Sequence, residues 1–284
     1  MKLSQTRIAI ALAILVVTTS GCGLINKVRA KNELNEAAQA YHDGHFDQAE
    51  QHSRRALELD PDSKSAPLFI ARTIHAQFRP GVQAPENIAK ANEAIQAYQQ
   101  ILAKDPKNEE AFKAIAYLYG AIKDDAKLQA WLSSRANDQG TEPEKRAEAY
   151  TILASKDWDC SFKITELPAN HSTTVGAGNR ATVTYKKPAQ QKDFDTAQAC
   201  VKRGLEEIEN AIKLDPNSES AWSYKTNLLL EASKLAEMDG KTDQKAQLDK
   251  QREEAQKRTT QLSQINQKKK EEEEARKTAS PAKK

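Results

Sequence analysis

The chain has 284 residues, 38% hydrophobic and 29% charged, and a formal net charge of +3. Ten glycines and ten prolines are few for this length and alanine is abundant, which argues for mostly helix, as one elongated repeat domain or two compact ones. The charge is near balance and no basic stripe is interleaved with aromatics, so nucleic acid is excluded as a predicted partner.

In chain order, the first feature is a leader. Lys2 and Arg7 precede an unbroken apolar run from Ile8 to Val17. A membrane-spanning helix needs roughly 20 apolar residues, so this run reads as a signal-peptide core. Small residues follow, ending in Ser20-Gly21-Cys22. That ending resembles the lipobox of bacterial lipoproteins, although Thr19 stands where a leucine is usual. The resemblance implies cleavage after residue 21 and a lipid on the sulfur of Cys22, which would tether the chain to a membrane. Gly23 is not the aspartate that retains such proteins at the inner membrane. The resemblance therefore implies an outer-membrane lipoprotein facing the periplasm. The alternative is an ordinary secretory signal and a soluble periplasmic protein. Residues 22–31 read as a linker.

Next comes a stamp that recurs three times: Leu57-Glu58-Leu59-Asp60-Pro61, Leu102-Ala103-Lys104-Asp105-Pro106 and Ile212-Lys213-Leu214-Asp215-Pro216. Proline disfavours helical geometry in the residue before it and cannot donate its own N–H. Each copy therefore stops a helix, and the recurrence marks a helical repeat. The first unit, from about Asn32 to Pro61, predicts two helices around Asp43-Gly44-His45. The second, about Lys64 to Asn108, has its second helix over Ile88–Lys104, after a stiff loop from Arg79 to Pro85. The third runs from Glu109 to about Glu142. The fourth is split, with helices over Pro143 to about Lys156 and about Asp193 to Leu214. The fifth opens at Ser220-Ala221-Trp222, and its last helix, from about Thr242, is long and polar.

The pattern Gly44-x-Phe46-x-x-Ala49, with Ala56 and Pro61, resembles the tetratricopeptide repeat (TPR), in which small alanines let paired helices approach closely. The resemblance implies an all-α, TPR-like helical solenoid of about five helix pairs over residues 32–262. Residues 263–284 read as a charged helix end, with a disordered tail from Thr278. Together with the leader, the repeats resemble TPR lipoproteins of bacterial envelopes. That likeness implies a lipid-anchored scaffold for a protein or peptide partner, possible in envelope assembly, and no enzymatic activity.

Residues 160–192 interrupt the fourth pair. Phe162, Ile164 and Leu167 alternate with polar residues, as do Val183 and Tyr185, so the insertion reads as a small β-hairpin or an ordered loop. Cys160, just past the first helix of that pair, and Cys200, two turns into the second, flank it; the helices should be antiparallel neighbours, which predicts a disulfide in an oxidising compartment. Two buried free thiols, or a redox or enzymatic device centred on this insertion, are the alternatives.

No catalytic set, cofactor motif, metal site or small-molecule substrate site emerges. His42, His45 and His52 lack helical ligand spacing. Val175-Gly176-Ala177-Gly178 lacks the lysine and the following helix of a phosphate loop. In the TPR family the first helix of each pair lines a concave groove, which here implies Arg72, His75, Lys113, Tyr117, Tyr224 and Asn227 as partner contacts. The family's lysine–asparagine clamp is not reproduced, because Tyr117 follows Lys113 where asparagine would stand. Self-assembly through the last helix, where Leu248, Ala255 and Leu262 are spaced by sevens, is a further reading.

Overall fold

The computed structural model describes residues 23–176, 178 and 181–279. The leader, Cys22 and residues 280–284 lie outside the described residues. Helix α1 covers residues 23–42. It is followed by α2 (Phe46–Leu59), α3 (Ala66–Gln77), α4 (Pro85–Lys104), α5 (Glu109–Ala121), α6 (Asp125–Asn137) and α7 (Pro143–Thr165). A 3-10 turn (Pro168–Asn170) leads into strands β1 (His171–Val175) and β2 (Ala181–Tyr185), then α8 (Gln191–Leu214), α9 (Glu219–Met238) and α10 (Thr242–Ala279). The fold is all-α and TPR-like, with five helix pairs and one two-stranded sheet among the described residues. The chain divides into two compact units, residues 1–128 and 129–284, with the division inside α6. Among the described residues no helix is long and apolar enough to cross a membrane.

Two kinds of turn build the pairs. Between pairs, the Asp-Pro stamp gives nearly the same backbone each time. Asp60, Asp105 and Asp215 cap α2, α4 and α8 at φ/ψ of −135/84, −133/83 and −135/89. Each aspartate N–H still donates to the carbonyl four residues back (Ala56, Ile101 and Ala211), and proline then ends the ladder. Three residues after each aspartate, the side-chain oxygens of Ser63, Asn108 and Ser218 accept from the N–H groups of Ala66, Ala111 and Ala221 at 3.2, 3.0 and 3.3 Å. These bonds satisfy donors that a helix start leaves free. The three alanines are fully buried. The repeated unit is therefore Asp-Pro-x-(Ser/Asn)-x-x-Ala: a stop, a restart and a small residue at the helix contact.

Within pairs, the turn is left-handed. Gly44, Lys123 and Gly240 have φ of 80°, 60° and 71°. The next residue's N–H reaches back to close the helix end, from His45 to Ala40, from Asp124 to Tyr119 and from Lys241 to Ala236. Lys123 holds this conformation at a cost of about 1–2 kcal/mol that a glycine would not carry.

Two pairs replace this turn with something longer. Between α3 and α4 the loop is pinned by Asn87, which is buried. Its Oδ1 accepts from the Arg79 N–H, and its Nδ2 donates to the carbonyls of Arg79 and Val82, all within 2.8 Å. Between α7 and α8 the chain makes the hairpin, with β1 and β2 antiparallel and His171 opposite Tyr185, Thr173 opposite Val183 and Val175 opposite Ala181. Buried Asn170 starts it, with Nδ2 donating to the Ile164 carbonyl at 2.7 Å and its own carbonyl accepting from the Lys186 N–H at 2.8 Å.

The structure corrects several boundaries. Residues 23–31 are helical rather than a linker, because Ala30 packs on Ala56 and Ala66 and no proline or glycine interrupts the segment after Gly23. Helix α7 runs to Thr165, so Cys160, Phe162 and Ile164 are helical and not in a β run. Trp158 and Phe162, four residues apart, stack at 5.0 Å, and Ile164 packs on the cluster around Phe194 and Leu235. A short apolar run fits both periods, and packing chose the helical one. Helix α4 starts at Pro85, three residues before the predicted Ile88, with proline in the first turn where its missing N–H costs nothing. Helix α8 starts at Gln191, and α10 continues through Thr278 to Ala279.

Candidate partner-binding surfaces

In the first unit, α1, α3 and α5 open successive pairs. Tyr41 of α1 lies edge-on to Phe46 and Phe69, at 5.2 and 6.0 Å. On α3, the Arg72 guanidinium makes two hydrogen bonds to the Glu110 carboxylate of α5. That pairing raises the Arg72 pKa and occupies the charge that sequence reading left for a partner. One turn on, His75 stacks against Tyr117 of α5 at 5.6 Å between ring centres and meets Tyr98 edge-on at 5.9 Å. Its Nδ1 lies 3.3 Å from the Tyr98 hydroxyl. Burial lowers the His75 pKa and raises that of Tyr98, so both rings are neutral near pH 7. Tyr117 is 51% exposed. Lys113 stands one turn before it on α5 and is also exposed. Arg72, His75, Lys113 and Tyr117 thus share one face, where an open aromatic ring is backed by the half-buried His75, the buried Tyr98 and a closed ion pair.

The other two predicted contacts, Tyr224 and Asn227, lie on α9 in the second unit. Tyr224 packs on the cluster of Ala154, Ile208, Ala221 and Leu228 and meets Trp158 at 6.1 Å. Asn227 is half-buried. Beside them the Lys225 ammonium pairs with Glu209 at 2.6 Å and sits 5.0 Å from the centre of the Trp222 ring.

The second unit also holds the insertion. Cys160 of α7 and Cys200 of α8 form a disulfide. Arg203 Nη2 donates to Asp157 Oδ1 at 2.7 Å and lies 3.3 Å from Cys200 Sγ. Glu207, one turn further, has a buried Oε2 with no hydrogen-bond partner. Burial and the charge of Asp157 push its pKa up to about 7. Helix α8 runs close to its neighbours here: a Cβ on Gly204 would fall 2.7 Å from Leu228 Cδ2 and 3.1 Å from Asp157 Cβ.

A buried ion cluster joins the hairpin to α7 and α9. Glu231 is 0% exposed. Its Oε2 accepts from the hydroxyls of Ser161 and Thr165 at 3.0 and 2.7 Å. Lys234 Nζ donates to Glu231 Oε1 and Glu166 Oε1, each at 2.6 Å, and lies 4.9 Å from the centre of the Tyr185 ring. Burial disfavours the ammonium, but the two carboxylates outweigh it and the Lys234 pKa is raised. Tyr185 donates its hydroxyl to Glu166 at 3.0 Å, and its backbone N–H donates to Glu237 Oε1 at 3.0 Å. Sequence reading missed this cluster. The signal available was two charges, Glu231 and Lys234, three residues apart inside an otherwise apolar helix face.

Of His42, His45 and His52, His42 contacts Asp43 and His52 contacts Glu33. Among the described residues no group of three or more His, Cys, Asp or Glu is placed to hold a metal ion.

Residues 201–232 match the model of the protein prenyltransferase alpha subunit repeat. This segment spans the third Asp-Pro turn and parts of the helices on either side. Solved structures similar to the chain include residues 41 to the end of MamA from Desulfovibrio magneticus RS-1. It is 13% identical over 84% of this chain and 96% of its own, with a TM-score of 0.39. YrrB, described as a TPR protein with an unusual peptide-binding site, is 11% identical over 83% of this chain and 90% of its own, with a TM-score of 0.38. A tetratricopeptide repeat protein from Parabacteroides merdae is 12% identical over 82% and 97%, with a TM-score of 0.35. No curated protein matches the chain.

Proposed function

We propose that this protein is a lipid-anchored, non-enzymatic scaffold of a bacterial envelope that binds an extended or helical segment of a protein partner. The observation that carries the binding role is the face shared by α3 and α5 in the first unit. There Tyr117 is half-exposed, stacked on His75 and set beside the Arg72–Glu110 pair. A rigid aromatic beside polar groups is a common anchor for a partner's apolar side chain. The Ser20-Gly21-Cys22 ending supports the anchor, and Gly23 favours the outer membrane facing the periplasm. The disulfide agrees with an oxidising compartment. The pair reads as a structural crosslink between α7 and α8, with Cys200 buried and Cys160 half-buried.

Affinity capture from detergent-solubilised envelopes tests the binding role. The full chain recovers a specific protein, and Tyr117→Ala, which leaves the helical circular dichroism unchanged, loses it. Recovery of no specific protein, or of the same protein by both chains, overturns the reading. Labelling with a radioactive fatty acid, with Cys22→Ala as the control, tests the anchor.

A further inference from the structure

We infer that the first two turns of α1 form a wedge that lies on an anionic bilayer surface. Leu24, Ile25 and Val28 are 68%, 55% and 61% exposed, three large apolar side chains within five residues. Ala30, close behind, is buried against Ala56 and Ala66. At roughly 100° per residue, the three exposed side chains stand about 120–160° around the helix from Ala30. They therefore point away from the core that α1 helps to build. Helical spacing sets Lys27 and Lys31 on one side of this apolar edge and Arg29 on the other, and all three are exposed. No acidic residue occurs from Gly23 to Asn32. The first, Glu33, is already engaged by His52 and Arg55.

An apolar edge with basic shoulders is the pattern of a helix lying in a membrane interface. The apolar side chains enter the headgroup boundary, and the cations meet anionic headgroups. Charge complementarity selects an anionic lipid surface over a neutral one. Chain continuity selects a membrane over a protein partner, because the edge begins two residues after Cys22, the proposed point of lipid attachment. The inference rests on the proposed anchor only for bringing the chain to a membrane; the contact itself is made by residues 24–31. It would fix how the first helix pair stands on the bilayer, where a lipid tether alone would let it swing.

The test is amide hydrogen exchange on the full-length protein with three preparations: vesicles of phosphatidylethanolamine and phosphatidylglycerol, vesicles of phosphatidylcholine alone, and no vesicles. Flotation is measured in parallel. Exchange over residues 24–31 slows several-fold with the anionic vesicles and less with the neutral ones, while α3 is unchanged. The combined substitutions Leu24→Asn, Ile25→Asn and Val28→Asn abolish the slowing, as do Lys27→Glu, Arg29→Glu and Lys31→Glu together. All six side chains are exposed, and unchanged circular dichroism and unchanged exchange in α3 show that the variants are folded. Exchange over 24–31 that is the same with and without anionic vesicles overturns the inference, whether or not the chain floats. So does protection that appears without lipid and grows with protein concentration, which would mean that a second copy covers the edge. Flotation without local protection would refute the wedge and keep the anchor. Local protection in a Cys22→Ala chain that is not acylated would keep the wedge without the anchor.

Discussion

The two units share the Asp-Pro turn but treat charge in opposite ways. In the first unit the ion pairs of α2, α3 and α4 sit at the surface, with Arg72 on Glu110 and Arg54 on Glu50 and Glu93. Surface pairs of this kind contribute little to stability, with a median of about 0–1 kcal/mol. In the second unit Glu231 and Lys234 are buried, each satisfied by more than one partner. The difference follows from the loops. The first unit keeps its connections short or pins them with one asparagine. The second replaces a three-residue turn with a hairpin, and a two-stranded hairpin alone is marginal in water. Here the helices that flank it are tied by a disulfide, and a buried ion cluster holds the hairpin itself. The insertion is therefore a fixed part of the second unit.

Breaking the tie should separate the units most. Cys160→Ser with Cys200→Ser opens a crosslink between residues 40 apart, which should cost about 4 kcal/mol in the chain-entropy account. Hydrogen exchange should rise in α7, β1, β2 and α8 and stay unchanged in α2 to α4. The buried cluster comes next. Lys234→Met leaves the Glu231 charge with only the Ser161 and Thr165 hydroxyls, and should destabilise by about 3 kcal/mol, measured by urea denaturation. An equal loss in Arg72→Met, which breaks a surface pair, would remove the contrast.

Smaller effects sharpen what the units share. Asn108→Ala in the first and Ser218→Ala in the second remove the same capping bond, and each should cost about 1 kcal/mol. Very different costs would mean that the turns are alike in geometry but not in energy. Last is Glu207. Its folded pKa of about 7 lies above its ordinary 4.5, so ionisation opposes folding. The penalty is absent below about pH 4.5, grows as pH rises and is complete above about pH 7. Discounted for partial exposure, Glu207→Gln should stabilise by about 0.5–1 kcal/mol at pH 8 and by nothing at pH 4. Thermal melts at the two pH values read this directly.

The repeat was legible because proline and glycine act locally. The Asp-Pro stops at 61, 106 and 216, the Gly44 turn and the start of α10 at Thr242 follow from residues next to the break. The serine or asparagine restart and the buried alanine three residues later are equally local signals. The end of α7 was not legible, since Phe162, Ile164 and Leu167 satisfy a strand pattern, and only packing on Trp158 and Phe194 decides for the helix. Residues 23–31 looked like a linker because their single inward contact, Ala30, is too small to show a period. Of the candidate surface, the residue types on α3 and α5 were readable from helical spacing. That Glu110 neutralises Arg72, and that Tyr98 backs His75, depends on elements 23–38 residues away and has no sequence signature.

The central claim is that the first unit's α3–α5 face receives a protein partner. Site-specific photocrosslinking in intact cells tests it most directly. A benzophenone amino acid in place of Tyr117 should trap one discrete protein. The same group in place of Lys104, at the exposed end of α4, should trap none. A chain that crosslinks nothing from position 117, or gives the same products from both positions, would contradict the account.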